Sequence, residues 1–145
     1  MNILESKTVS ILVVDDDPQI CELLSLILSK EDFQVISTFR SRESLGLLKK
    51  SSYLKFNLLI TDLQMPELGG FSLIKDIQNS DAYNSVPVMV VTGRSLDAST
   101  VNMIKSEPNV RGIYKKPLSV SGFISAVYEV LGMSSALQNP SEQSV

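Results

Sequence analysis

The chain has 145 residues, with 13 Lys and Arg against 16 Asp and Glu for a formal charge of -3, one Cys, no Trp and no His. Without histidine it cannot by itself build an imidazole zinc site, a Ser-His-Asp or Cys-His nucleophile or a phosphohistidine, so its chemistry must run on carboxylates, hydroxyls, lysines or a bound metal. The length suits one domain, the single Cys21 excludes an internal disulfide and fits a reducing, cytoplasmic setting, no apolar run approaches the ~18–20 residues of a membrane span, and a pI near 4.9 without a basic stripe argues against nucleic acid as direct partner.

Val9 to Val14 (VSILVV) is a nearly unbroken apolar run, the pattern of a strand buried on both faces, and it ends in Asp15, Asp16 and Asp17. Asp17 before Pro18 supplies an N-cap and an N1 proline. Ile20, Leu23, Leu24, Ile27 and Leu28 then recur at helical spacing, and Cys21 is expected to pack as a small hydrophobe rather than react. Phe33 to Ser37 reads as a second strand, followed by a helix marked by Leu45 and Leu48. Asn57 to Thr61 is the third strand and runs into Asp62, before a helix carrying Phe71, Ile74 and Ile77. Val86 to Thr92 is the fourth. The stretch from Leu96 to Ser106 has only Val101 and Ile104 as a clear apolar pair. Val110 to Tyr114 forms the fifth strand and leads into Lys115, Lys116 and Pro117, with Phe123, Val127, Val130 and Leu131 on the last helix. From Met133 the periodicity stops. Residues 1–132 are thus expected to form the domain, and 133–145 a disordered tail or the start of a linker.

Five strands alternating with five helical segments predict an α/β fold with a parallel sheet covered on both faces. The flavodoxin-like strand order 2-1-3-4-5 is the solution for five such units, and it places ligands beyond the carboxyl ends of the strands. At those ends stand three acids from the first strand, Asp62 from the third, Thr92 from the fourth and Lys116 from the fifth. Clustered carboxylates repel and recruit a cation, and a hard ion such as Mg²⁺ with oxygen ligands answers that need. An ammonium and a hydroxyl on the rim can hold phosphoryl oxygens, and a carboxylate can itself be the nucleophile. Asp62, alone at its strand end, is the candidate.

ILVVDDDP at 11–18, LLITDLQMPELGG at 58–70, VMVVTG at 88–93 and YKKPL at 114–118 together resemble the receiver domain of two-component response regulators, over about residues 9 to 132. The resemblance implies that Asp62 accepts a phosphoryl group from a sensor histidine kinase or phosphotransfer protein, which holds the histidine this chain lacks. It implies Mg²⁺ bound directly by Asp16, through water by Asp15, by Asp62 and by the backbone carbonyl of Gln64. Thr92 and Lys116 would contact phosphoryl oxygens, with Lys116-Pro117 cis, and the loop with Met65-Pro66 and Gly69-Gly70 would seat the acceptor beside the metal. Gln64 and Arg94 would flank the hydrolytic water. Output would pass to a downstream protein or an effector domain outside this chain, with room for a phosphorylation-dependent dimer, and not through direct nucleic-acid or membrane contact.

Two positions depart from the family pattern. Ile113 stands where Tyr or Phe is usual, with Tyr114 expected on the opposite face, and Leu118 follows the Lys-Pro pair. One alternative is a receiver-fold binding module whose output ignores phosphate. Another is a haloacid-dehalogenase-like phosphatase, whose DxDx(T/V) pattern fails because Gln19 stands where Thr or Val is needed.

Overall fold

The computed structural model describes residues 8–40, 43–44, 46–47, 56–63, 70–79 and 85–133. The β-branched runs become β1 (Ser10–Val14), β2 (Gln34–Thr38), β3 (Leu58–Thr61), β4 (Val88–Thr92) and β5 (Val110–Lys115), each within two residues of its predicted start. They pair in parallel in the order β2-β1-β3-β4-β5. β1, β3 and β4 are buried at every position, which is why they read as continuous apolar runs, whereas the edge strands β2 and β5 are mixed.

Strand alternation sorts the core into two layers. Ile11, Val13, Leu58, Ile60, Met89 and Val91 face α1 (Pro18–Ser29) and α4 (Val120–Leu131). Leu12, Val14, Leu59, Val88 and Val90 face α2 (Gly70–Gln78) and α3 (Ala98–Lys105). Residues 43–44 and 46–47 also have helical backbone, while the predicted apolar pair Leu45 and Leu48 and the tail from 134 to 145 lie outside the described residues.

Local chemistry starts and stops these helices. Asp17 caps α1 by accepting from the Gln19 N–H at 2.9 Å, with Pro18 in the first turn, as predicted. Asp97 caps α3 through the Thr100 N–H, Ser119 caps α4 through the Gly122 N–H, and Gly132 closes α4 at φ 69°, a left-handed conformation that glycine adopts without steric cost. The α1 stripe differs from expectation at one place: Leu23 is 50% exposed, and the buried residues are Cys21, Leu24 and Leu28. The arc facing the sheet is rotated toward Cys21, so Leu23 falls on the helix flank, where it lines an apolar groove with Val120 and Phe123. In β5 an irregularity leaves Arg111 as the extra residue between the pairs Val88↔Val110 and Met89↔Gly112. Beyond it, Ile113 joins the α2/α3 layer and Tyr114 the α1/α4 layer, the opposite faces that alternation predicts.

Candidate functional site

The carboxyl edge of the sheet assembles the site. β1 ends at Val14 and β3 at Thr61, paired residues of neighbouring strands, so the chain leaves the sheet at Asp15 and Asp62 side by side. Carboxylate oxygens of Asp15, Asp16 and Asp62 all lie within 4.8 Å of one another. Asp15 and Asp62 are buried and Asp16 is exposed. From the end of β5, the Lys116 ammonium reaches Asp15 Oδ2 at 2.7 Å and Asp62 Oδ2 at 3.0 Å. The Lys116-Pro117 peptide is cis, as the resemblance implies.

The two buried acids are each held from several sides. Asp15 Oδ1 accepts the Asp17 N–H at 2.9 Å, and Asp62 Oδ1 accepts the Leu63 N–H at 2.6 Å. The Thr61 hydroxyl donates to the Asp62 carbonyl at 2.9 Å. Burial pushes the Asp15 carboxyl above its ordinary value, against the downward pull of the Lys116 and Asp17 hydrogen bonds. For Lys116, burial opposes the charge, but the combined bonds to Asp15 and Asp62 outweigh it and hold the ammonium above its usual range. The two directions are compatible because the lysine side chain lies nearer solvent, 20% exposed against 3% for Asp15.

Thr92 is buried at the end of β4, and its hydroxyl accepts the Arg94 N–H at 3.2 Å, which starts the loop toward α3. The Lys116 N–H donates to the Thr92 carbonyl at 2.8 Å, joining the last two strand ends. Gln64, Met65, Pro66 and Gly69 lie outside the described residues. Two contacts have no counterpart in the sequence pattern. Asp17 serves Asp15 through its backbone as well as capping α1. Cys21, buried as expected, also donates its thiol hydrogen to the Asp15 carbonyl at 3.2 Å. Burial first, and the Asp15 charge second, push that thiol's pKa up, so it stays a donor.

Three carboxylates with all-oxygen donors suit a hard divalent cation, and the juxtaposed ammonium supplies positive charge to the same point. The arrangement can neutralise an incoming phosphoryl group while leaving a carboxylate to attack it.

Comparison with known proteins agrees. A family model for the response regulator receiver domain matches residues 11–128. The chain is 31% identical over 129 residues to the transcriptional regulatory protein CpxR homolog of Haemophilus influenzae, covering 89% of this chain and 53% of that protein. It is 32% identical over 96 residues to response regulator GtcR of Aneurinibacillus migulanus, covering 66% of this chain and 36% of that one. The chain thus spans about a third to about half of the length of these curated relatives. A crystal structure of a response regulator receiver protein from Pseudomonas putida superposes with a TM-score of 0.77 at 26% identity, covering 86% of this chain and 98% of that one.

Proposed function

Because the chain belongs to the response regulator receiver family, a phospho-acceptor signalling family rather than one of true enzymes, we propose that Asp62 is the acceptor and that Asp15, Asp16, Thr92 and Lys116 serve it. These 145 residues contain no histidine, so the donor imidazole lies outside them. A carboxylate oxygen of Asp62 attacks the donor phosphorus, the P–N bond breaks as the new P–O bond forms, and the imidazole leaves with the electron pair. Lys116, already 3.0 Å from Asp62, holds a phosphoryl oxygen, and the Thr92 hydroxyl binds another. Asp15, Asp16 and Asp62, with the Gln64 carbonyl, would hold Mg²⁺. When bound, the ion offsets the repulsion between the acids and the incoming phosphoryl group. The observation that carries this reading is the three-acid cluster bridged by Lys116.

The donor is a histidine kinase or phosphotransfer protein. An apolar groove of about 300 Å³, flanked by exposed Leu23 and Val120, includes Lys116 in its lining and supports docking of the donor there. Phosphorylation adds about -1.5 to -2 charges. Thr92 and Lys116 would read that change and draw in the loop at 93–97. Clefts of about 290 Å³ against Ile113 and about 180 Å³ against Leu63 and Phe71 flank the loop, and Leu96 and Arg94 line both. Arg94 and Gln64 would tune the lifetime of the acyl phosphate. The domain is taken to run to residue 132, consistent with Gly132 closing α4, and a cytoplasmic setting is consistent with the free buried Cys21. Among the described residues no helix is long and apolar enough to cross a membrane.

Incubation with acetyl phosphate and Mg²⁺ tests the assignment. Wild-type protein is expected to take up one phosphoryl group, seen by mass, and Asp62→Asn none. Equal uptake by Asp62→Asn would overturn it.

A further inference from the structure

We propose that Cys21 is a positioning residue for the acidic pocket: its thiol, on the first buried turn of α1, holds the Asp15 peptide so that the Asp15 carboxylate stays aligned with Lys116 and Asp62. The proposal rests on the reading of Asp15 and Asp62 given above. Every polar group of Asp15 has a partner. Its N–H donates to the Thr38 carbonyl at 3.2 Å, Oδ1 accepts from the Asp17 N–H, and Oδ2 accepts from Lys116. Its carbonyl accepts from the Cys21 thiol at 3.2 Å. The same sulfur lies 3.7 Å from the Thr38 carbonyl, so one side chain on α1 touches the ends of both β1 and β2.

The geometry has a physical reason. Asp15 is the first residue past the last β1 pairing with β2 and β3, so its carbonyl has left the ladder while the residue remains buried. A buried carbonyl without a donor is costly, and a donor that satisfies it also orients the peptide. The Asp15 side chain hangs from that peptide. A tilt there moves its carboxylate relative to Lys116, whose own position is set from β5. Outer partners that orient metal ligands act in this way.

The test separates donation from packing. Cys21→Val keeps an apolar side chain of similar size and removes the donor, and Cys21→Ser keeps a donor. Mg²⁺ affinity is measured by titration calorimetry, and the Asp15 carbonyl ¹³C shift in metal-free protein by NMR. In Cys21→Val, Mg²⁺ affinity is expected to fall roughly tenfold, the lower end for an outer partner of a metal ligand, and the Asp15 shift to move. Cys21→Ser is expected to recover most of both. Wild-type affinity and an unmoved carbonyl shift in Cys21→Val would overturn the proposal, as would equal losses in the two variants. If Cys21→Val does not fold, Cys21→Ala replaces it with the same expectations. If the wild-type protein binds no Mg²⁺, the metal reading falls and the carbonyl shift alone decides the role of Cys21.

Discussion

The two helices that follow the acidic loop and the threonine loop are built to different standards. α1 runs for 12 residues, buries Cys21, Leu24 and Leu28, and begins at a capped proline turn whose backbone also holds Asp15. α3 runs for 8 residues, buries only Ile104, and starts from a loop with a cleft on each side. Asp15 is anchored by the first, through the Asp17 N–H and the Cys21 thiol. The loop proposed to respond to a new charge leads into the second, where few buried contacts make local rearrangement inexpensive. The number of side chains each helix buries thus differs along one sheet edge, and that difference is the physical basis for expecting a fixed pocket beside a compliant loop.

That contrast can be broken by cutting each anchor. Leu28→Ala empties a fully buried position in α1 and should cost about 3 kcal/mol in denaturant unfolding, with faster amide exchange throughout the domain. Ile104→Ala should cost about 2 kcal/mol, near the lower end for such a truncation because the adjoining cleft lets neighbours relax, with faster exchange confined to α3. Equal global losses from both would show that α3 is as firmly tied as α1.

Thr92→Ala sharpens the comparison at the point where the two regions meet. The variant should still take up phosphate on Asp62 from acetyl phosphate, because the acids and Lys116 are untouched. The wild type is expected to change its α3 amide exchange on phosphorylation, and the variant to lose that change. A full α3 response in the variant would detach the loop from Thr92.

The smallest effect concerns the cap of α3. The Thr100 N–H bonded to Asp97 holds that carboxyl below its ordinary value of 3.8. A depressed folded pKa means the cap contributes fully above that value and loses its contribution as pH falls through the lower folded value. Asp97→Ala should therefore lower the melting temperature slightly at neutral pH, and the gap to wild type should close in strong acid. A gap that persists there would assign the effect to helix propensity instead of the charged cap.

Much of the site was legible because it depends on local chemistry at strand ends. Unbroken apolar runs revealed β1, β3 and β4, and whatever follows such a run in a parallel sheet stands at the ligand edge, which exposed Asp15, Asp16, Asp62 and Thr92, while Lys116 was read from the end of the mixed strand β5. Strand alternation also placed Ile113 and Tyr114 on opposite faces. Helical spacing was less decisive, since it cannot fix the rotation of an amphipathic arc to within one residue. It put Leu23 in the core, whereas the side chain is half exposed on the flank of α1. The thiol contact was invisible for the same reason, because it depends on which side of α1 meets the ends of β1 and β2.

By itself, the order of runs, caps and acids along the chain determined an α/β fold with a parallel sheet and the residue types at its carboxyl edge, and the motifs there carried the resemblance to receiver domains. Only the tertiary structure decided that Lys116 bridges Asp15 and Asp62, 101 and 54 positions away, and that Cys21 backs the first of them. Sequence patterns report which face of its own element a residue occupies. Which residues meet across elements is settled by strand register, by the roughly 4.7–4.9 Å between neighbouring strands, and by the rotation at which each helix packs on the sheet.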